Sequence, residues 1–304
     1  MTGPANWVDL LDPTAAELDA HLPRSIHVQA LEQLLAPTRH DDEPRPKLES
    51  HGDYVFGVFL IAVAVPDEDR VYYQELDLVL TDQVVVTVRK TPEHGGPAYE
   101  PAAARRACRV DEASGMIFYH LVDDVAEHFL DLVDTLGDEI DELEDGVDSW
   151  EPNRIRRRVS DLRHDMLHIR RTLAPTRDAI RQIIDDRVEL STQEVFPREV
   201  ELNFGAAYDK LLRATDGLEL ARDLVAGVRD YHQSKVANDQ NEVMKRLTVI
   251  AAVLLVPTFI VGLYGQNFRD VPELRWGFGY AWSWGLIVVS TVVQLAFFRW
   301  KKWV

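Results

Sequence analysis

Cysteine is nearly absent from this sequence, which has a single residue of that type, Cys108. One cysteine cannot form a disulfide within the chain, and its scarcity is typical of proteins in a reducing compartment. The sequence also lacks a glycine-rich phosphate-binding loop, a nucleophile elbow and a cysteine and histidine metal set. We therefore expect no enzymatic activity, no covalently bound cofactor and no step driven by ATP.

Positive charge is also scarce, with 33 Lys and Arg against 51 Asp and Glu and a net charge of -18. Residues 241–304 hold seven basic and three acidic residues, a net +4, so residues 1–240 carry -22. This balance argues against nucleic acid as a partner and against a general anchor to anionic lipid. An acidic body could concentrate cations, or it could simply keep the domain soluble.

Two long uncharged runs close the sequence. The first, residues 247–268, has 22 residues between two arginines, and the second, residues 276–298, has 23. A hydrocarbon core about 30 Å thick needs roughly 20 apolar residues of helix. Both runs are therefore long enough to be membrane spans, and the linker at residues 269–275 is too short to form a domain.

The two spans are expected to form an antiparallel hairpin in the lipid bilayer, which leaves both ends of the chain on one side. Lys245 and Arg246 precede the first span, and Arg299, Lys301 and Lys302 follow the second. By the positive-inside rule that side is the cytoplasm. We expect a multi-pass protein of the plasma (inner) membrane with both termini cytoplasmic. No basic segment followed by an apolar core begins the chain, so no cleavable signal is expected.

The first third of the sequence is typical of a small α/β domain. Three stretches are rich in β-branched and aromatic residues, namely 54–65, 72–80 and 84–88. Residues 81–83 are expected to form a hairpin turn between the last two strands. A short strand at residues 7–10 and two short helices, one starting near Thr14 and one at residues 28–35, complete the prediction.

From residue 113 onward the strand signals vanish and helical periodicity replaces them. Residues 114–147 repeat apolar side chains at steps of three and four, and Pro152 interrupts the pattern. A second long helix, from about residue 153 to residue 190, should fold back on the first. The acids at residues 138–148 are expected to be a solvated face, with a loose attraction for cations as the alternative.

The longest helical pattern begins after Phe196 and Pro197 and reaches the first span without a proline before Pro257. A rod of about 65 residues would be on the order of 100 Å long and needs lateral support. An apolar seam with steps of three and four predicts that this helix packs against copies of itself. The seam consists of Leu211, Ala214, Leu218, Ala221, Val225 and Val228.

The same stepping continues across the membrane boundary as a stripe of mostly small or polar residues. Its members are Asp230, Ser234, Ala237, Asn241, Met244, Thr248 or Leu247, Ala251, Leu255, Thr258 and Gly262. Hydroxyl and amide groups at membrane depth usually face a partner helix or a wet lumen. Two helices cannot enclose a lumen alone, so we predict a ring of copies with the first span innermost. The alternative is that Asn241 and Thr258 only hold helices together.

The residues at the end of the first span resemble a known family. The chain has KRLT at residues 245–248, YGQNF at residues 264–268, PEL at residues 272–274 and a basic tail that ends in tryptophan. These motifs resemble those of the CorA-type divalent-cation transporters, whose hallmark is a Tyr-Gly-Met-Asn-Phe loop at this place. The likeness extends over the chain, for example to RPK at residues 45–47.

The resemblance implies an α+β cytoplasmic domain, long helices, a C-terminal two-helix transmembrane hairpin and a homopentamer. It implies a selectivity filter of Gly265, Gln266 and Asn267, in which Asn267 holds the metal through its hydration shell. Met244 and Leu247 would form an apolar constriction. The implied pore lining is Asp230, Asn241, Met244, Leu247, Ala251, Leu255, Thr258 and Gly262, and Asp270 and Glu273 would form an extracytoplasmic acidic loop.

The expected organisation follows the chain in seven parts. These are a cytoplasmic α/β domain (1–112), an acidic helical hairpin (113–195), a stalk helix (196–246), the first span and pore (247–264), an extracytoplasmic loop with the filter (265–276), the second span (277–298) and a basic tail (299–304). The implied function is uptake of hydrated Mg²⁺ down its electrochemical gradient. Because Mg²⁺ gives up its waters reluctantly, a ring of Asn267 amides suits the hydrated ion, and Met244 and Leu247 could gate by dewetting.

The sequence departs from the family pattern at several positions. Gln266 replaces the methionine of the hallmark, and Pro257 directly precedes Thr258 where the family usually keeps one residue between them. The branch of zinc transporters related to ZntB also changes the hallmark position, so Zn²⁺, Co²⁺ or Ni²⁺ remains an alternative cargo. Gln33 and Ala206, which we align with the acids that hold a regulatory ion in magnesium-gated members, are uncharged, so we expect that site to be absent or relocated.

Two further hypotheses remain. His164 and His168, at positions i and i+4, faintly resemble a zinc-protease helix, but no third ligand is apparent and a solvated helix surface is expected. A membrane-anchored enzyme or a scaffolding protein is the other functional alternative, and the polar stripe of the first span counts against it.

Overall fold

The computed structural model describes residues 4–38, 43–65, 70–93, 96–191, 193–266 and 272–303. The chain divides into two compact units, Met1–Arg229 and Asp230–Val304. We call the first unit the body. The second contains the two apolar stretches whose helices are long enough to cross a membrane, and we call it the membrane unit. One long helix contributes residues to both.

The body contains a five-stranded sheet. Its strands are β1 (Trp7–Leu11), β2 (Lys47–Ser50), β3 (Val55–Val65), β4 (Arg70–Leu80) and β5 (Val85–Arg89), in the spatial order β1-β5-β4-β3-β2. β1 lies parallel to β5, and the other neighbours are antiparallel. Thr81 closes the turn before β5, because its backbone N–H donates to the Val84 carbonyl at 2.9 Å. The strands predicted from composition are confirmed, whereas β2 was not predicted.

Alternation of side chains along the strands gives the sheet two apolar faces. On one face Phe56, Val79 and Val86 pack with Leu18 of α1 (Ala15–Asp19) and Leu34 of α2 (Val28–Leu35). α1 begins as the sequence predicts, because Thr14 and Glu17 form a capping box. The α2 range agrees with the prediction at both ends.

The other face of the sheet is covered by long helices. α3 (Ala102–Ala107) is short and was not predicted; α4 (Ser114–Gly146) and α5 (Pro152–Ile184) form the expected pair. α5 ends six residues earlier than predicted. The reason is a left-handed residue, Asp186 (φ 56), after which the Arg187 N–H turns back to the Gln182 carbonyl at 2.8 Å.

The body and its last helix are joined by aromatic packing. The ring of Phe118 on α4 lies 6.0 Å from Phe59 of β3, 5.9 Å from Phe196 and 5.6 Å from Phe204 of α6 (Arg198–Tyr264), measured between centroids. Gly115 allows this approach, because a Cβ there would lie 2.2 Å from the Val195 carbonyl oxygen.

The apolar seam of α6 does not face other copies of the chain. Its six residues, Leu211, Ala214, Leu218, Ala221, Val225 and Val228, are at most 5% exposed and belong to the same core as α4 and α5. Gly217 shows how close the packing is, since a Cβ there would lie 2.7 Å from Cγ1 of Val133 on α4. The prediction of a seam between copies is therefore wrong: periodicity identifies an apolar face but not what covers it.

The membrane unit consists of the last part of α6, a short 3-10 helix (Pro272–Arg275) and α7 (Gly279–Trp300). The α6 helix is 67 residues long and continues through Pro257 up to Tyr264. A rod of this length is about 100 Å long. The long unbroken helix predicted from the sequence is thus confirmed.

Candidate ion pathway

The two candidate spans lie within α6 and α7, and charged and aromatic groups mark their ends. Before the first span, Arg246 Nη2 lies 2.5 Å from Oε1 of Glu242 one helical turn earlier. At the end of α7, Lys301 Nζ lies 4.9 Å from the Trp300 ring centroid, and the rings of Phe298 and Trp303 stack at 5.8 Å. Basic and aromatic residues of this kind are typical of a membrane boundary.

The structure places the predicted stripe on an exposed row of α6. All eight proposed pore-lining residues are exposed in the single chain: Asp230, Asn241, Met244, Leu247, Ala251, Leu255, Thr258 and Gly262. Leu255 is 70% exposed although it lies in the middle of an apolar helix. Within the part of the chain that the structure describes, this row is left uncovered.

The bulky side of the first span is partly covered within the membrane unit. Val253, Val256 and Ile260 are half-buried, and Val249 is buried. Ile260 and Pro257 also line a cavity of about 760 Å³ together with residues of α7. The row that contacts the second span is thus different from the row that carries Ala251, Leu255 and Thr258.

Hydroxyl groups on the first span are bonded to their own helix. Thr248 Oγ1 donates to the Met244 carbonyl at 2.8 Å, and Thr258 Oγ1 donates to the Leu254 carbonyl at 2.7 Å. Each hydroxyl therefore uses its proton internally and keeps lone pairs as acceptors. An acceptor on the exposed row can receive a hydrogen bond from water, including a water bound to a cation.

The first span ends at the predicted filter. The Gly265 N–H donates to the Val261 carbonyl at 2.8 Å, and a Cβ on Gly265 would lie 2.9 Å from that oxygen, so glycine suits the position. Gln266 follows in an exposed bend. Asn267 and Asp270 lie outside the described residues, and Glu273 is half-buried in the 3-10 helix.

Gly262 differs from Gly265 because no residue that the structure describes requires it to be small. A Cβ on Gly262 would meet no atom of the described chain within 4 Å.

Aromatic residues in the membrane unit line a feature that the sequence did not predict. Trp276, Tyr280 and Trp284 line the cavity between the end of α6 and the start of α7, together with Tyr264. The high density of tryptophan in residues 276–284 was a signal for a membrane boundary, but not for a cavity.

The histidine pair that the sequence suggested as possible metal ligands, His164 and His168, lies in the body. His168 is half-buried, with its ring stacked on Tyr73 at 5.0 Å and its Nε2 3.5 Å from Oε2 of Glu43. The prediction that it lies on a solvated surface is therefore wrong, whereas His164 is exposed.

In the parts of the chain that the structure describes, no three His, Cys, Asp or Glu side chains could together hold a metal ion. Burial, followed by the charge of Glu112, raises the pKa of Cys108 to about 11, so its thiol stays protonated.

Comparison with known proteins supports the resemblance to the CorA-type transporters over nearly the whole chain. A family model described as "CorA-like Mg2+ transporter protein" matches residues 4–302. The chain is 30% identical over 282 residues to the cobalt/magnesium transport protein CorA of Thermotoga maritima, covering 91% of this chain and 77% of the relative. It is 22% identical to the protein of the same name from Methanocaldococcus jannaschii, covering 98% and 91%.

Solved structures support the fold. The complete CorA magnesium transporter of Methanocaldococcus jannaschii superposes with a TM-score of 0.79 at 20% identity, covering 98% of this chain and 91% of that one. The ZntB cytoplasmic domain from Vibrio parahaemolyticus superposes with a TM-score of 0.53 at 15% identity, covering 76% and 88%. At these identities the likeness concerns the fold alone. With the family match over residues 4–302, this chain belongs to the CorA-like Mg²⁺ transporter family.

Proposed function

We propose that this chain forms a homopentamer that carries hydrated Mg²⁺ into the cell through a pore lined by the exposed row of α6. The observation that carries the proposal is that row: it is continuous along the helix, is exposed throughout in the single chain, and leads to the YGQNF motif. The names of relatives, which are cobalt and magnesium transport proteins, support this cargo.

The chemistry of the row suits an ion that keeps its water. No acidic or basic side chain occurs between Arg246 and Arg269, so the span offers no carboxylate that could replace the inner waters of the ion. Mg²⁺ dehydrates reluctantly and prefers to be bound through its waters. Thr258 contributes a hydroxyl acceptor, and the ring of Asn267 would contribute amides at the mouth.

The narrow part of the pathway would lie at Met244 and Leu247. These side chains are 60% and 55% exposed on the same row of the single chain. In a ring of copies they would form an apolar neck, which can stop ions by losing its water when it narrows. Entry requires no ATP, because a membrane potential of 100 mV supplies about 2.3 kcal/mol per elementary charge.

The orientation follows from the positive-inside rule. Lys245, Arg246, Arg299, Lys301 and Lys302 are all at the ends of the spans that join the body or the C-terminal tail. Both termini would therefore be cytoplasmic in the plasma (inner) membrane. YGQNF and the acidic residues Asp270 and Glu273 would face the outside, where they meet the incoming ion.

Flux into liposomes tests this function. Purified protein is reconstituted, and uptake of Mg²⁺, Co²⁺ and Zn²⁺ is compared with and without a pH gradient, alongside its mass in detergent. We expect Mg²⁺ uptake by a pentamer and its loss in Asn267→Ala, because the variant removes the amide that would hold the hydrated ion. Asn203→Ala, which removes an amide from the body, is the matched control.

The results separate the alternatives. Uptake of Zn²⁺ that depends on a pH gradient, without Mg²⁺ uptake, would favour a zinc transporter. Unchanged flux in Asn267→Ala would show that selection occurs elsewhere, and a monomer or dimer as the only species would exclude the ring.

A further inference from the structure

The body contains a buried ionic cluster on the face of the sheet that α2 covers. Glu75 and Asp77 are two residues apart on β4 and therefore point to the same face. Lys90 follows β5 directly. The side chains of Glu75, Asp77 and Lys90 are only 4%, 0% and 3% exposed. Charged groups this deeply buried are rare unless their charges are balanced.

Lys90 connects the cluster to α2. Its Nζ lies 2.5 Å from Oε1 of Glu75, 2.7 Å from the Gln33 carbonyl oxygen and 2.8 Å from Oδ2 of Asp77. Of the three N–H donors of the ammonium group, two are directed at Glu75 and at the Gln33 carbonyl, and the contact with Asp77 is an ion pair. Gln33 Nε2 also donates to Oε1 of Glu75 at 2.9 Å. One turn of α2 is thereby attached to the sheet through both its backbone and its side chain.

The charges of this cluster do not balance if both acids are ionised. Two carboxylates and one ammonium group would leave one negative charge in a site without solvent, which is costly. The residues paired with Asp77 in the sheet are Val58 on β3 and Val88 on β5, and neither offers a donor side chain. Asp77 has no well-directed hydrogen bond at either carboxylate oxygen, and its contact with Lys90 is only an ion pair.

The carboxyl groups of Asp77 and Glu75 are near each other, because an oxygen of each lies within 2.8 Å of the same Lys90 Nζ. Two buried carboxylates this close repel each other, and a proton on one of them removes the repulsion and supplies a donor for the other. Glu75 already accepts from Gln33 and Lys90, whereas Asp77 is the acid without a directed donor. A proton on Asp77, donated to Glu75, satisfies both acids at once.

The direction of the pKa shift of Asp77 agrees with a proton on its carboxyl group. Burial is the largest cause that raises it well above its ordinary value, and the charge of Glu75 is the next, while Lys90 acts in the opposite direction. The charged groups that act on Asp77 are therefore Glu75 and Lys90. The elements packed around it contribute Val58, Val88 and Gln33, which do not titrate, and the ionisable residues of α2 and its cap, His27 and Glu32, are exposed.

We propose that Glu75, Asp77 and Lys90 form a proton-binding site, in which one proton carried by Asp77 makes the cluster neutral and holds α2 on the sheet. The pH of the compartment around the body then controls how firmly α2 is attached. The inference concerns the body alone and does not depend on the transported ion.

The sign of the pH effect follows from the acid involved. An acid whose pKa is raised in the folded protein stabilises the fold fully below its unfolded pKa, and this contribution is lost as the pH rises through the folded pKa. Deprotonation of Asp77 would leave the cluster with a net negative charge and break the bond between the two carboxyl groups. α2 should therefore open more often at high pH than at low pH.

Infrared spectroscopy and hydrogen exchange of the full-length protein test the site. The wild-type protein should show the C=O stretch of a buried protonated carboxyl group at neutral pH, and Asp77→Asn should lack it. Between about pH 5 and pH 9, the backbone amides of α2 in the wild type should exchange more rapidly as the pH rises, and by more than their intrinsic exchange rates increase. In Asp77→Asn this extra increase should disappear, because the amide keeps the shape of a protonated acid and can donate to Glu75.

Glu75→Gln is the second variant, and it decides the question if Asp77→Asn does not fold. It leaves Asp77 and Lys90 as a balanced pair, so Asp77 should ionise and the protonated band should again disappear. Combining Asp77→Asn with Glu75→Gln leaves Lys90 without a counterion and should lower the unfolding midpoint far more than either single change. Burial raises the pKa of the Glu43 carboxyl group to about 7. Glu43 is unchanged in all these proteins, so its contribution to the carboxyl band is the same in the wild type and in the variants.

Three outcomes would overturn the proposal. The first is a wild-type spectrum without a carboxyl band that these variants remove. The second is an α2 exchange profile that has the same pH dependence in Asp77→Asn as in the wild type. The third is a double variant that unfolds at the wild-type midpoint.

Discussion

The body and the membrane unit differ in how far each completes its own structure. In the body, large side chains such as Phe129, Phe204 and Leu211 are entirely buried by other parts of the same chain. Among the described residues of the membrane unit, only His232, Val249 and Phe298 are buried. The body has a core of its own, whereas most of the described residues of the membrane unit are not covered by the chain itself.

The comparison also shows that residues with the same spacing along a helix can form a buried row in one unit and an exposed row in the other. On α6 the row that contains Leu211 and Val225 packs inside the body, and the row that contains Leu255 is bare. Both rows have the same spacing in the sequence. In the single chain the row with the small and polar residues is left uncovered, but so are bulky residues such as Leu254 and Phe259, which are 62% and 68% exposed. The chemistry of the side chains, and not their exposure, distinguishes this row.

The largest expected effect compares a core residue of the body with a residue on the exposed row of α6 in the membrane unit. Phe129→Ala should lower the free energy of unfolding by about 3–5 kcal/mol, because it removes a fully buried ring and leaves a cavity. Leu255→Ala should change it by less than about 0.5 kcal/mol, because the side chain is 70% exposed. Denaturant unfolding of the full-length protein in detergent measures both.

A large loss of stability in Leu255→Ala would contradict this comparison. It would mean that the exposed row of α6 is packed as tightly in the assembled protein as the core of the body. Oligomer mass, measured on the same samples, distinguishes a weakened fold from a weakened assembly.

A smaller effect is expected from two glycines of α6. Gly217→Ala should destabilise the body by about 1 kcal/mol, since overpacking costs about 1–3 kcal/mol and the gain in helix propensity returns up to about 1 kcal/mol. The cause is Val133, whose Cγ1 would lie 2.7 Å from the new Cβ. Gly262→Ala should not destabilise the chain, because the new Cβ meets no described atom within 4 Å.

For Mg²⁺ transport the order of the two variants should be the opposite of their order for stability. Gly262→Ala should reduce Mg²⁺ flux, because the added methyl group would lie on the exposed row that we propose lines the pore. Folded Gly217→Ala should transport normally. Equal flux in wild type and Gly262→Ala would remove Gly262 from the pathway.

The sequence predicts much of the body because its local signals agree. β3, β4 and β5 are rich in β-branched and aromatic residues, and α4 has an uninterrupted helical period. β2 escaped prediction because only Leu48 of its four residues, Lys47–Ser50, is buried, so it has no apolar run. Pairing of β1 with β5 joins residues about 80 positions apart, such as Trp7 and Val85, and no local pattern specifies such a contact.

The site was predictable only in part. A polar stripe on an apolar span is visible in the sequence, as are the basic residues at both boundaries. The ionic cluster of Glu75, Asp77 and Lys90 was not, because alternation along β4 gives a shared face without indicating what covers it. Gln33 is an example: the sequence shows an uncharged residue, and the structure shows that its amide and carbonyl groups bind that cluster.

The smallest effect on stability, and the sharpest on function, is expected at Gln266. This residue lies in an exposed bend directly after Gly265, so Gln266→Met should leave the unfolding midpoint unchanged. An exposed amide near the membrane surface gains more from water and ions than from an apolar neighbour. We therefore predict that Gln266 faces the mouth of the pore, where several copies add a second ring of amides, and that Gln266→Met changes ion preference or apparent affinity severalfold.

The measurement is liposome uptake of Mg²⁺, Co²⁺ and Zn²⁺ at several concentrations for both proteins. Gln193→Met in the body is the control, since it makes the same exchange in another exposed bend, outside the membrane unit. If Gln266 packs away from the mouth, its variant should behave like this control. Superimposable uptake curves for all three ions would therefore assign Gln266 to the outside of the filter, and a changed order of preference in Gln266→Met alone would assign it to the path of the ion.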